Sequence, residues 1–190
     1  MIPTLVTRAD QLARNLGFTM SSNATVGALL AVCAAGVPNG GRILEIGTGA
    51  GSGLAWLAHG VGNRPVEIVS VESDPRVAAA VRRQEWPSNV TLLEGDILAL
   101  FDELRIFDLI FADAQGGKWE RLSATIDALA PGGLLVCDDM RPESFDYPDQ
   151  REQNERVCAI LHEHPHLVSV DIDAAGGVVL ARRRFVPSAS

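Results

Sequence analysis

Four glycines, Gly47, Gly49, Gly51 and Gly53, stand at alternate positions directly after the apolar run Ile43-Leu44-Glu45-Ile46 and ahead of a helical pattern. Glycine lets a backbone pass close to a ligand, and the first N–H groups of a helix lack partners. A strand, a glycine turn and a helix in that order therefore make a cradle for a nucleotide-like group. Ser52 holds the place of the third glycine of GxGxxG, which weakens a dinucleotide reading; a tight strand-to-helix connection is the plainer alternative. The next apolar run ends in Glu72, followed by Ser73-Asp74-Pro75. An acid at the carboxyl end of a second strand can accept both ribose hydroxyls, although alone it would be a surface acid. A third run ends in Glu94-Gly95-Asp96-Ile97, where Asp96 would either bond an adenine amino group or cap the following helix.

The elements that must position these residues alternate along the chain. Strands are expected at Arg42 to Gly47, Val66 to Glu72, Val90 to Glu94, Phe107 to Ala112, Gly133 to Asp138, Leu167 to Ile172 and Val178 to Arg182. Between them lie helix patterns at Gly51 to His59, Pro75 to Glu85, Ile97 to Leu104, Lys118 to Leu129 and Gln150 to His162. Leu5 to Leu16 and Thr25 to Ala35 precede the first strand. Asp74-Pro75 supplies a cap with proline at the first helical position, and Pro131-Gly132-Gly133 stops one helix and turns into a strand. Such alternation builds a doubly covered, mostly parallel α/β sheet. The last two strands are too close in sequence for a parallel crossover, so they must close it as an antiparallel hairpin.

Composition bounds the rest. A chain of 190 residues fits a single domain, 1–190, with N-terminal helices over 1–36 and the α/β core over 42–184. Neither an apolar run long enough for a bilayer nor a signal-peptide pattern is seen, so a cytoplasmic protein without a membrane partner is expected. Cys33, Cys137 and Cys158 show no CxxC spacing and read as buried thiols. A net charge of -8 repels polyanions, which argues against a nucleic-acid partner, and Arg182-Arg183-Arg184 reads as a solvated end. His162, His164 and His166 read as a polar helix end, Trp56 and Trp86 as packing residues, and Trp119 and Tyr147 as candidate lining of an acceptor pocket.

LEIGTGAG, VESDP, EGDI, FDLIFADA and LLVCDDM, in this order, resemble the catechol-type O-methyltransferase family (family 3) of class I enzymes dependent on S-adenosylmethionine (SAM). The resemblance covers nearly the whole chain, from Met20 to Leu30 through Gly176-Gly177-Val178. It implies a Rossmann-like seven-stranded sheet, with Glu45 and the loop Gly47, Thr48, Gly49, Gly51, Ser52, Gly53 around the methionine part of SAM. Glu72 and Ser73 would meet the ribose, and Met20, Asp96, Ile97 and Asp113 would complete the cofactor site. It also implies a homodimer that methylates phenolic hydroxyls of small acceptors beside a divalent cation. Asp113, Asp138 and Asp139 close the fourth and fifth strands, and oxygen ligands of this kind suit Mg2+. Such a cation would lower the pKa of a phenolic oxygen and orient it towards the sulfonium methyl.

This sequence departs from the family pattern. Asp-Ala-Asp-Lys is replaced by Asp113-Ala114-Gln115-Gly116, so the lysine that serves as general base is missing, and Lys118 lies two positions later as its candidate substitute beside Asp113. Asp139 stands where asparagine is usual. Three carboxylates without a cation would repel and raise at least one pKa. Alternatives therefore stay open: Asp113 on the amino group of SAM with Asp138 as a turn residue and no metal, a metal-independent N- or O-methyltransferase, or a non-catalytic SAM-binding module.

Overall fold

The computed structural model describes residues 2–141, 148–173 and 176–185. Its strands are β1 (Arg42–Ile46), β2 (Glu67–Glu72), β3 (Val90–Glu94), β4 (Phe107–Ala112), β5 (Leu129–Cys137), β6 (Leu167–Ile172) and β7 (Val178–Arg183). They form one seven-stranded sheet in the order β3-β2-β1-β4-β5-β7-β6. Strands β1 to β5 are parallel, with Ile43 opposite both Ile68 and Leu109. The last two pair antiparallel, β7 lying against β5, as the short connection between them requires.

Helices α1 (Thr4–Leu16), α2 (Ala24–Ala35) and α3 (Ser52–Val61) cover one face. Alternation along each strand sends Ile43, Ile68, Leu109, Phe111 and Val136 into this layer. Leu44, Ile46, Val69, Ile110 and Leu135 point the other way, against α5 (Ile97–Leu100), α6 (Leu122–Asp127) and α7 (Gln150–Glu163). Burying each such side chain contributes about 1.5–3 kcal/mol. Glu45 lies between Leu44 and Ile46 and so takes the Ile43 side of β1, where the sheet would otherwise hold another hydrophobe. Helix α4 (Pro75–Arg82) has the predicted Asp74 cap, whose carboxylate accepts the N–H groups of Arg76 and Val77.

Several helices are shorter than their patterns. The stretch expected as a helix over Lys118 to Leu129 is helical only in α6. Before it, the Gln115 carbonyl accepts the N–H groups of Lys118, Trp119 and Glu120 at 3.3, 2.8 and 3.2 Å, winding the chain into a loop. Strand β5 starts at Leu129, four residues before Gly133: Leu129 pairs with Phe107, and a register shift follows around Pro131-Gly132. Helix α4 stops before Glu85 because the Trp86 indole takes the Val81 carbonyl at 3.0 Å, and α5 ends at Leu100 rather than Leu104. Of the cysteines only Cys137 is buried; Cys33 and Cys158 are half-buried.

Candidate active site

Strand β2 extends the sheet to one side of β1 and β4 to the other, so the loops at the carboxyl ends of β1 and β4 part and leave a crevice. Gly47 approaches the opposite loop so closely, at φ 96°, that a Cβ there would sit 3.0 Å from the Asp113 carbonyl oxygen. The Gly47 and Thr48 N–H groups both donate to the Val71 carbonyl, at 3.0 and 3.1 Å. Glu72 is locked at the rim, its Oε2 accepting from the Gly49 N–H and its Oε1 from the Asp74 N–H, each at 2.8 Å. Each carboxylate oxygen retains a further lone pair. A cavity of about 260 Å3 opens here, and Met20, Glu45, Gly47, Thr48, Gly49, Ser52, Gly53, Glu72, Ser73 and Asp113 all line it. Gly51 instead stands at the N-cap of α3 at φ 89°, Asp96 caps α5 through the Leu98 N–H at 2.9 Å, and Ile97 is buried; none of these three lines the cavity.

Glu45 is fully buried. Its Oε2 accepts a short hydrogen bond from the Ser70 hydroxyl, which in turn bonds Thr48 Oγ1 at 2.6 Å. Its Oε1 has no partner. Gly53 makes the room for it, since a Cβ there would lie 2.3 Å from Oε1. Burial, against the Ser70 hydrogen bond, raises the Glu45 pKa well above the ordinary carboxylate range; the charges of Asp113 and Glu72 add to the rise, and a backbone N–H contact from Leu54 offsets it weakly. A buried acceptor left open costs about 1–3 kcal/mol, and a positively charged donor in the cavity would relieve it. Glycine backbone, an open carboxylate and a rim acid thus fit the cationic amino-acid end and ribose of SAM.

A second, polar cavity of about 570 Å3 adjoins the first and shares Met20, Ser22, Asp113 and Gln115 with it. Lys118, Trp119, Asp138 and Asp139 form its far side. Lys118 reaches the site: it is 5% exposed, and its Nζ donates to the Asp138 main-chain oxygen at 2.8 Å. Burial, then the Asp138 carboxylate, push Asp113 well above its ordinary pKa, with Lys118 and a 3.3 Å hydrogen bond from Ser22 pulling it down. Burial, then Asp139, push Asp138 up to about 6.

The family model described as a methyltransferase domain matches residues 44–140, the stretch from β1 through both site loops to the end of β5. The chain belongs to this methyltransferase family. It is 27% identical over 151 residues, 74% of this chain, to precorrin-6Y C(5,15)-methyltransferase (decarboxylating) of Sinorhizobium sp. It is 37% identical over 116 residues, 58% of this chain, to protein-L-isoaspartate O-methyltransferase of Anaeromyxobacter dehalogenans. The chain spans only 33% and 52% of the lengths of these two relatives. Its fold is that of an O-methyltransferase from Bacillus cereus solved in complex with SAH: TM-score 0.78, 19% identity, 97% of this chain and 92% of that one.

In this methyltransferase domain the acids at the ends of β4 and β5 line one cavity. Asp138 Oδ1 accepts the Asp139 N–H at 2.8 Å, Asp113 Oδ2 takes the Ser22 hydroxyl, and Asp139 is exposed at φ 54°. Among the described residues no group of three or more acidic, histidine or cysteine side chains is arranged to hold a metal ion. Sequence reasoning missed Ser22 and Asn154. Asn154 is buried on α7, accepts the Trp119 indole N–H at 2.8 Å and donates to the Asp139 carbonyl at 2.7 Å. Trp119 lines the second cavity, whereas Tyr147 lies outside the described residues. His162 bonds Asp171 at 2.8 Å, and His164 and His166 face each other edge-on, away from the site. Among the described residues no helix is long and apolar enough to cross a membrane.

Proposed function

We propose that the chain is a SAM-dependent O-methyltransferase of the catechol type, which methylates a hydroxyl of a small, phenolic acceptor. The observation that carries this reading is the pair of adjoining cavities. One is built of glycine backbone, Glu45 and Glu72; the other is polar and is joined to it through Asp113 and Ser22. SAM supplies an electrophilic methyl on a sulfonium. Glu45 Oε1 holds its amino group, Glu72 its ribose, and the backbone of Gly47 to Gly53 lies along its amino-acid end. Asp113, at the shared wall, and Lys118 face the acceptor and keep its oxygen towards the first cavity. A small molecule suits a cavity of about 570 Å3, well within the range of small-ligand pockets. The same reading makes the protein cytoplasmic and homodimeric; light scattering on the eluting protein tests the dimer.

Calorimetry with SAM and S-adenosylhomocysteine tests the cofactor reading. Both bind the wild type, while Glu72→Ala weakens them about 10–100-fold, the loss of one or two hydrogen bonds to a charged group. Absence of heat with either ligand would end the proposal. Transfer of labelled methyl to a panel of phenols tests the acceptor class.

A further inference from the structure

Lys118 is the cation of the acceptor cavity. It arrives there through a rigid loop: the Thr125 hydroxyl donates to the Gly117 carbonyl at 2.6 Å, and Gly117 takes φ 82°, where a Cβ would strike Ile46. Trp119, held by Asn154, pins the next residue. Lys118 Nζ then makes one hydrogen bond, to the Asp138 main-chain oxygen, and among the described residues no salt bridge. An ammonium carries three N–H bonds, so two remain for whatever fills the cavity it lines. The residue is 5% exposed, and its Nζ lies 5.9 Å from the Trp119 ring centroid, so the ammonium sits in the cavity wall and is largely withdrawn from bulk water.

The cation implied by the family resemblance does not fit the same place. Oxygen ligands to Mg2+ or Ca2+ converge at roughly 2.0–2.6 Å. Here Asp113 Oδ2 accepts from Ser22 and Asp138 Oδ1 from the Asp139 N–H, and among the described residues no three acidic, histidine or cysteine side chains are grouped to hold an ion. A fixed ammonium beside them would also repel a divalent ion.

From this disagreement, and resting on the methyltransferase reading above, we infer that Lys118 Nζ takes the role of the divalent cation and binds the acceptor as its oxyanion, so that transfer is metal-independent. The phenol gives its proton to bulk water on binding, because an opposite charge at contact distance favours the ionised form. A phenolate lone pair then forms the O–CH3 bond as the C–S bond breaks, and that electron pair stays on sulfur as a neutral thioether. Lys118 keeps its own protons throughout. The acceptors selected are those with an acidic hydroxyl and no need for a second, chelating oxygen.

The test uses the purified chain with S-adenosylhomocysteine and 4-nitrophenol, buffered about one unit below the phenol's own pKa. Wild type raises the visible phenolate band, Lys118→Arg retains part of it, and Lys118→Met loses it, while all three bind S-adenosylhomocysteine alike. Methyl transfer to 4-nitrophenol from SAM falls ~10²-fold in kcat in Lys118→Met, the effect of removing one charge-stabilising donor. EDTA leaves wild-type transfer unchanged, and calorimetry with MgCl2 or MnCl2 gives no saturable heat. Saturable 1:1 binding of either ion with loss of turnover in EDTA would overturn the inference. So would a phenolate band that is absent in wild type or persists in Lys118→Met. Should Lys118→Met not fold, the wild-type metal titration and Lys118→Arg still decide. Failure to bind S-adenosylhomocysteine would sink the cofactor reading instead, a result separable from any on Lys118.

Discussion

Glu45 occupies an inward position of β1 among Leu54, Phe111 and the glycines of the turn, and one of its oxygens is left without a donor. Its folded pKa is raised, mainly by burial, above the value of about 4.3 of a free glutamate. The folded state therefore binds more protons than the unfolded state between those two values, and stability falls as pH rises through that window. Glu45→Gln keeps the shape and the acceptor for Ser70 but removes the charge. In the absence of ligand it should be more stable than wild type at pH 8, and it should lack this part of the wild-type loss between pH 5 and 8. It should bind SAM more weakly. Urea unfolding at the two pH values, paired with calorimetry, checks both directions. A variant that loses stability and keeps SAM affinity would show Glu45 to be structural.

At the scale of elements, the loop from Asp113 to Arg121 is what turns a parallel sheet into a site. Thr125 on α6 is completely buried and holds the loop by its hydroxyl. Thr125→Val is nearly isosteric, yet it leaves the Gly117 carbonyl without that donor, at a cost of about 1–3 kcal/mol. The expected result is a lower urea midpoint together with a fall in methyl-transfer kcat and an unchanged SAM affinity, because Lys118 loses its fixed approach while the Gly47–Gly53 side is untouched. Equal losses in kcat and SAM affinity would contradict this division of labour. The same loop marks the limit of what sequence discloses. The strands, the glycine turn and Glu72 are legible because alternation, glycine spacing and strand-end acids are local signals. Ser22 meets Asp113 across 91 positions, and Asn154 meets Trp119 across 35; no local pattern carries such pairings. The helix expected from Lys118 fails for a different reason: turn hydrogen bonds to the Gln115 carbonyl, and the Thr125 hydroxyl on the Gly117 carbonyl, outweigh a helical pattern of apolar residues. Asp96 could be read as adenine ligand or cap, and its Oδ1 makes the cap bond to the Leu98 N–H.

For the whole molecule, the crevice joins elements from both layers of the fold. Its walls come from the approach to α2, from the turns after β1 and β2, and from the loop after β4, so a ligand there ties together parts that otherwise meet only through the sheet. A ligand that binds only the folded chain stabilises it by RT ln(1 + [L]/Kd), about 2.7 kcal/mol at a hundredfold excess over Kd. For a domain of this size each kcal/mol shifts the midpoint by roughly 2–4 °C. S-adenosylhomocysteine at that excess should therefore raise Tm by about 5–11 °C, with an increment that grows logarithmically with concentration. Glu72→Ala at the same ligand concentration should lose most of the increment, while Lys118→Met should keep it, since Lys118 does not line the glycine-turn cavity. A shift equal in all three proteins would mean that the ligand sits elsewhere on the fold. A shift lost in Lys118→Met as well would mean that the two cavities bind as one.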